Sequence, residues 1–282
     1  MAILTNRPTL SYRNGTVISN VVTGEIVEVL SATKNALLDS YSQGDTVTYV
    51  IGLFNSGNTD LSGVTLTDDL GAYSFGTATA VPLTYIDGSV AYYLDGVLQP
   101  QPAVTAGANL TVNNITVPAN GYAQIIYQAR VNEFAPVAVG SEITNTVTAT
   151  VGNESVTASE TINVVNAPLL SISKSLFPAT VSENGRLSYT FTIQNFGNTA
   201  AVATDDLSIT DTFDPILEQI TVTYEGQTWT DGTEYNYNPA TGLFSTVPGN
   251  ITVPAATYTQ NPVTGEWDIT PGSVTLTVTG TI

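Results

Sequence analysis

The sequence predicts an all-β protein built as two tandem sandwiches. Three observations carry that prediction: side chains alternate with a period of two, turn dipeptides interrupt the alternation at short intervals, and the whole pattern recurs roughly 140 residues further on. Alternation is plain in Asp45 to Phe54, Ser188 to Ile193 and Val274 to Thr279, where Thr, Val, Ile and Tyr dominate, as suits a pleated, half-buried surface. Asp87-Gly88, Asp95-Gly96, Asp231-Gly232 and Pro271-Gly272 supply the turns, and no window holds a helical period.

Composition narrows the possibilities. A chain of 282 residues has the length of about two domains. Hydrophobic residues make up 42% and charged residues 11%, which is enough apolar material for cores and too little charge for a disordered polyanion. Six basic residues against 24 acidic ones give a net charge of −18, which removes the positive footprint that a phosphate backbone requires and excludes nucleic acid as a partner. The absence of His and Cys takes away the commonest general base, the thiolate nucleophile, disulfides and nearly all zinc sites. The acids are scattered and read as a solubilising surface with at best weak calcium sites, so neither cofactor nor metal is expected. No basic segment followed by an apolar one opens the chain, and no run of about 18 apolar residues occurs, so neither a leader nor a membrane span is visible.

Laid side by side, the halves match piece by piece. Lys174 answers Lys34 (174 − 34 = 140), and Asn195-Phe-Gly-Asn198 answers Asn55-Ser-Gly-Asn58 (195 − 55 = 140). Asp211 answers Asp68 (211 − 68 = 143), and Asn250-Ile-Thr-Val-Pro254 answers Asn114-Ile-Thr-Val-Pro118 (250 − 114 = 136). The Asn-x-Gly-Asn segments are expected to be hairpin turns that need positive φ. The frame of the repeat is its informative part. The first copy runs past its strand at 123–131 into a closing segment at 142–149, whereas the second copy reaches its matching strand at 274–282 with no such segment after it. Ile3-Leu-Thr-Asn-Arg-Pro-Thr-Leu10 resembles the closing segment, with Asn6 answering Asn145 (145 − 6 = 139). The expected organisation is an N-terminal donor strand and linker over 1–24, a first Ig-like sandwich over 25–165, and a second over 166–282 that lacks its closing strand.

The two lysines are the only ones in the chain, and they occupy equivalent positions of the repeat. In Leu30-Ser-Ala-Thr-Lys34 and Leu170-Ser-Ile-Ser-Lys174 alternation puts each lysine on the core face with the leucine four residues before it. A lone buried ammonium costs several kcal/mol, so each site must offer a carboxylate, hold the amine neutral or consume it chemically. The last option is isopeptide formation: a neutral lysine amine attacks an asparagine amide while a buried, protonated carboxylic acid polarises the carbonyl and carries protons, and ammonia leaves. The first copy offers Lys34, Asn145 and Asp68, and the second offers Lys174 and Asp211, with Asn6 of another chain as the amide. Plainer readings stand beside this one. Asp68 and Asp211 can simply open turns, Asn6 and Asn145 can be ordinary strand-end amides, and each Lys–Asp pair can be a non-covalent ion pair that fixes strand register.

Leu30 to Lys34, Gly44 to Tyr49, Asn55 to Asn58, Thr67-Asp68 and Thr144-Asn145-Thr146, with their second-copy counterparts Leu170 to Lys174, Gly185 to Tyr189, Asn195 to Asn198 and Thr210-Asp211, resemble the repeat domain of bacterial and archaeal surface proteins known as domain of unknown function 11. The resemblance implies stalk modules similar to those of pili and adhesins, some of which carry internal Lys–Asn isopeptide bonds. Arg186 in place of Asp after Gly185, and Arg7-Pro8 in place of Thr146-Val147, depart from the pattern. The expected function is a structural subunit of an extracellular filament on a cell or spore surface, its partners other copies of itself joined head to tail, with any surface ligand left open. A rival reading is a surface adhesin or ligand-binding module presenting the stretch from Asn238 to Gln260. A glycan-active enzyme using Asp68-Asp69 or Asp205-Asp206 lacks a convergent motif.

Overall fold

Period-two alternation becomes strands throughout the computed structural model, which describes residues 2–26 and 29–282. The chain opens as an arm of four strands, β1 (Ala2–Asn6), β2 (Thr9–Tyr12), β3 (Gly15–Ile18) and β4 (Val22–Ile26). It turns at Arg13-Asn14 and returns on itself, so that β2 pairs with β3 and β1 with β4, both antiparallel. The sequence reading placed a linker after the donor strand; the chain instead folds back there into the second half of a hairpin.

The first sandwich comprises β5 (Leu30–Ala36), β6 (Ser40–Tyr41), β7 (Thr46–Asn55), β8 (Leu61–Asp68), six short strands β9 to β14 between Tyr73 and Ala106, then β15 (Leu110–Val117), β16 (Tyr122–Val131), β17 (Glu142–Val151) and β18 (Glu154–Val164). One sheet has the order β13-β12-β16-β7-β5, with β11 also on β16, and it faces a second of order β14-β15-β8-β17-β18-β6. Inward residues at every second position, among them Tyr49, Ile51, Leu66, Ile115, Tyr127 and Val147, fill the space between the sheets.

The second sandwich comprises β19 (Leu170–Phe177), β20 (Arg186–Asn195), β21 (Thr210–Thr212), β22 (Glu218–Tyr224), β23 (Gln227–Trp229), β24 (Tyr235–Asn238), β25 (Leu243–Thr246), β26 (Thr257–Gln260), β27 (Trp267–Thr270) and β28 (Gly272–Thr281). A sheet of order β19-β20-β28-β22-β23 faces the short sheet β21-β25-β24 over a core that includes Phe191, Phe213, Val222, Phe244 and Leu276. The stretch from Asn238 to Gln260 contributes Phe244, Ile251 and Val253 to that core and β26 to a hairpin, so it is not a free loop. Register makes the difference between the copies explicit. Asp68 in β8 pairs with Leu110 of β15 on one side and with Val147 of β17 on the other. Its counterpart Asp211 in β21 pairs with Phe244 of β25, and among the described residues β21 has no strand on its other side.

The Asn-x-Gly-Asn segments differ from expectation. They carry the chain from one sheet to the other, from β7 to β8 and from β20 toward β21, and their glycines do not have positive φ. Asn55 Nδ2 donates to the carbonyls of Thr59 and Val117, while its Oδ1 accepts from Gly57 N–H. Asn195 does the same with Thr199, Pro254 and Gly197. Glycine is required by close approach: a Cβ on Gly197 would lie 2.1 Å from the Ala167 carbonyl oxygen.

Candidate functional site

In β5 the residues Leu30 and Lys34 are buried on one face, as the alternation predicts. Lys34 Nζ donates to Asp68 Oδ2 at 2.5 Å, and the two side chains are 0% and 2% exposed. Tyr49 and Tyr127, paired across β7 and β16, stack with ring centroids 5.4 Å apart, and Lys34 Nζ sits 4.9 Å from the Tyr49 centroid. The Tyr127 hydroxyl donates to Asp68 Oδ2 at 2.8 Å and accepts from Asn145 Nδ2 at 2.8 Å. Lys34, Asp68 and Asn145 therefore meet in one dry cluster, joined through a tyrosine that the sequence reading passed over. Its signal was present: Tyr127 has the inward parity of β16, opposite Tyr49 of the Gly44-to-Tyr49 motif.

Burial in this cluster pulls both partners toward their neutral forms, and their mutual attraction pulls the other way. Burial pushes the Lys34 amine below its ordinary value, against the opposing pull of the Asp68 charge, and burial pushes the Asp68 carboxyl up. Burial also raises the Tyr127 and Tyr49 hydroxyls, which stay protonated. The neutral pair and the ion pair hold the same number of protons. Moving between them needs only a transfer across the 2.5 Å contact, with no proton taken from solvent. Asn145 Oδ1 and the Tyr49 hydroxyl are buried without hydrogen-bond partners, which leaves the amide carbonyl oxygen free to accept a proton or developing charge.

The second copy repeats half of this arrangement in the open. Lys174 Nζ lies 2.5 Å from Asp211 Oδ2 and 4.3 Å from the Tyr189 ring centroid. The side chains are 38% and 21% exposed, because the strand that covers Lys34 has no described counterpart here. Every residue of β19 is exposed, whereas β5 alternates buried and exposed. Leu170, Ile172, Ile193, Leu207, Ile209 and Ile251 line an apolar groove of 180 Å³ along the uncovered side. The counterpart of Tyr127 is Val278, which pairs with Tyr189 as Tyr127 pairs with Tyr49, so among the described residues this centre has no bridging hydroxyl. Asn6 lies on the arm, at the end of β1, paired with Val22.

No protein-family model and no curated protein sequence matches the chain. Among solved structures, the chain is similar to the major pilin subunit BcpA of Bacillus cereus (13% identity, 96% of this chain and 73% of that one, TM-score 0.36). It is also similar to the pilus backbone RrgB of Streptococcus pneumoniae (14%, 86% and 55%, TM-score 0.35) and to the collagen-binding domain of a Staphylococcus aureus adhesin (12%, 49% and 99%, TM-score 0.31). Two of these neighbours are pilus subunits and one is a domain of an adhesin.

Proposed function

We propose that the chain is the structural subunit of an extracellular filament on a cell or spore surface, polymerising head to tail as the N-terminal segment of one copy completes the open second sandwich of the next. The supporting observation is the contrast between two equivalent centres, one closed over Lys34 by β17 and one open at Lys174. Because donor and acceptor surfaces differ, the contact is heterologous, and a rotation that does not close produces a fibre.

In the closed centre the chemistry is isopeptide formation. The Lys34 Nζ lone pair adds to Asn145 Cγ; Asp68, protonated at the outset, gives its proton toward Nδ2 and takes the surplus proton from Nζ. The carbonyl re-forms as the Cγ–Nδ2 bond breaks, ammonia departs, and Asp68 is left protonated as it began. Tyr127 supplies the route for the proton bound for Nδ2, since its hydroxyl touches both Asp68 Oδ2 and Asn145 Nδ2. The expected intact mass is the sequence mass less one ammonia, with a Lys34–Asn145 cross-linked peptide after digestion. Asn145→Ala should restore the sequence mass apart from the substitution, and wild-type protein at full sequence mass would defeat the bond. In a chain that is produced unfolded and still at full sequence mass, the rate of ammonia loss on first folding should be nearly flat across neutral pH, because the reactive and resting pairs differ by no net proton.

Tyr127→Phe keeps the ring stack and removes the relay. Bond formation followed by mass against time should slow by about 10²-fold or more, in the range of a lost general acid–base group, while the folded core persists. An unchanged rate would assign the proton transfer to Asp68 alone.

A further inference from the structure

We infer that the donor is the whole N-terminal hairpin, two strands rather than one, and that it docks on the second sandwich of another copy of this chain as β17–β18 docks in the first. The inference rests on the filament reading and adds to it the identity and register of the inserted element.

The first sandwich supplies the template. Beside β8 it has β17, and beside β17 it has β18, joined by a two-residue turn at Gly152-Asn153. The arm also turns on two residues, Arg13-Asn14. Val151 pairs with Glu154 and Thr148 with Thr157; subtracting the offset of 139 that relates Asn145 to Asn6 gives Tyr12–Gly15 and Thr9–Ile18, both of which are pairs in the arm. Toward its base the arm pairs Asn6 with Val22 where the template predicts residue 21, a one-residue bulge on the returning strand. Hairpin and template thus share turn length and register from the tip to Thr9.

Pro8 fits this arrangement. Its counterpart is Val147, in a strand with neighbours on both sides, a position that ordinarily rejects proline. Thr146 uses its N–H and C=O toward Asp69, beside β8, so by alternation the backbone of Val147 faces β18. The missing N–H of Pro8 therefore points at its own hairpin partner, where Pro8 C=O accepts from Ser19 N–H, and nothing is lost toward the acceptor.

Shape and charge agree. In the closed copy Ala149 pairs with Leu66; the counterparts are Leu10 on the arm and Ile209 beside the 180 Å³ groove, so the larger Leu10 meets the space that is empty there. Leu10 and Val17 pair directly across the hairpin and are 68% and 55% exposed, whereas their templates Ala149 and Val156 pack against the first core. Residues 1–26 hold Arg7, Arg13 and Glu25, a charge of +1, which leaves −19 on the remainder (−18 − 1). Attraction steers the arm to the body of the next copy.

The test uses three full-length variants, each adding one carboxylate to the arm. Leu10→Asp, on the strand beside β21, should abolish fibres seen by negative-stain microscopy. Val17→Asp, on the inner face of the second strand, should abolish them as well, while Thr16→Asp, on the outer face of that strand, should assemble like wild type. Val17→Asp retains its groove, so mixed into wild-type protein it should shorten fibres as its mole fraction rises, which an unfolded chain would not do. Fibres of normal length from Val17→Asp, with none from Leu10→Asp, would overturn the hairpin and leave a single-strand donor. Normal fibres from Leu10→Asp would overturn donor-strand assembly and the hairpin together, leaving a filament joined by some other contact.

Discussion

Removing residues 1–26 yields a folded chain that forms no fibres. Among the described residues neither buried core draws on the arm: the first begins at Leu30 and the second at Leu187, and the first sandwich contains its own β17 and β18. The deleted chain should therefore keep the β-sheet circular dichroism and cooperative thermal unfolding of wild type. Assembly is lost because the acceptor groove no longer has an occupant. Burying Leu10 alone is worth about 1.5 to 3 kcal/mol, and each ladder hydrogen bond adds about 0.5 to 1.5 kcal/mol net, so no remaining contact substitutes for the arm. The truncated chain still accepts a donor, and added to growing wild-type fibres it should terminate them. Persistence of normal fibres after the deletion would remove the basis for donor-strand assembly.

The parts legible in the sequence were those governed by alternation and by the duplication. Lys34 shares the core face with Leu30 because strand parity alone places it there, and Asp68 and Asn145 follow from the repeat frame. Tyr127 was passed over because inward tyrosines read as core filling, and only the meeting of β16 with β8 and β17 across the sandwich reveals its hydroxyl between acid and amide. The returning half of the arm was missed for a different reason. Thr16 to Val22 carries the β-branched residues of a strand, Val17, Ile18, Val21 and Val22, but leaves them exposed, so no core face marks the segment as half of a sheet within a single chain. Gly197 was misread since a close backbone approach and a positive φ leave the same residue in the sequence.

Fibres should resist boiling in detergent if, as we propose, each junction closes a bond between Lys174 of one copy and Asn6 of the next with Asp211 as the acid. In the free chain Lys174 and Asp211 are reachable by water, and no amide stands beside them among the described residues. Burial is the cause that drives Lys34 and Asp68 toward their neutral forms, and the docked hairpin would impose the same burial on the second pair. Arrival of the donor thus brings both the substrate amide and the dry surroundings, so the bond forms only at a completed junction. With Val278 where the first copy has Tyr127, this bond should form more slowly than the internal one, and young fibres should give a ladder that shifts upward with time. Asn6→Ala, Lys174→Ala and Asp211→Ala should each run as monomer on the denaturing gel even where microscopy shows fibres. An amine reagent gives an independent reading: it should label Lys174 in the arm-deleted chain and leave it unlabelled in mature, denatured wild-type fibres. A single monomer band from boiled wild-type fibres would rule out the covalent junction and leave a donor hairpin held by its hydrogen bonds and apolar contacts alone.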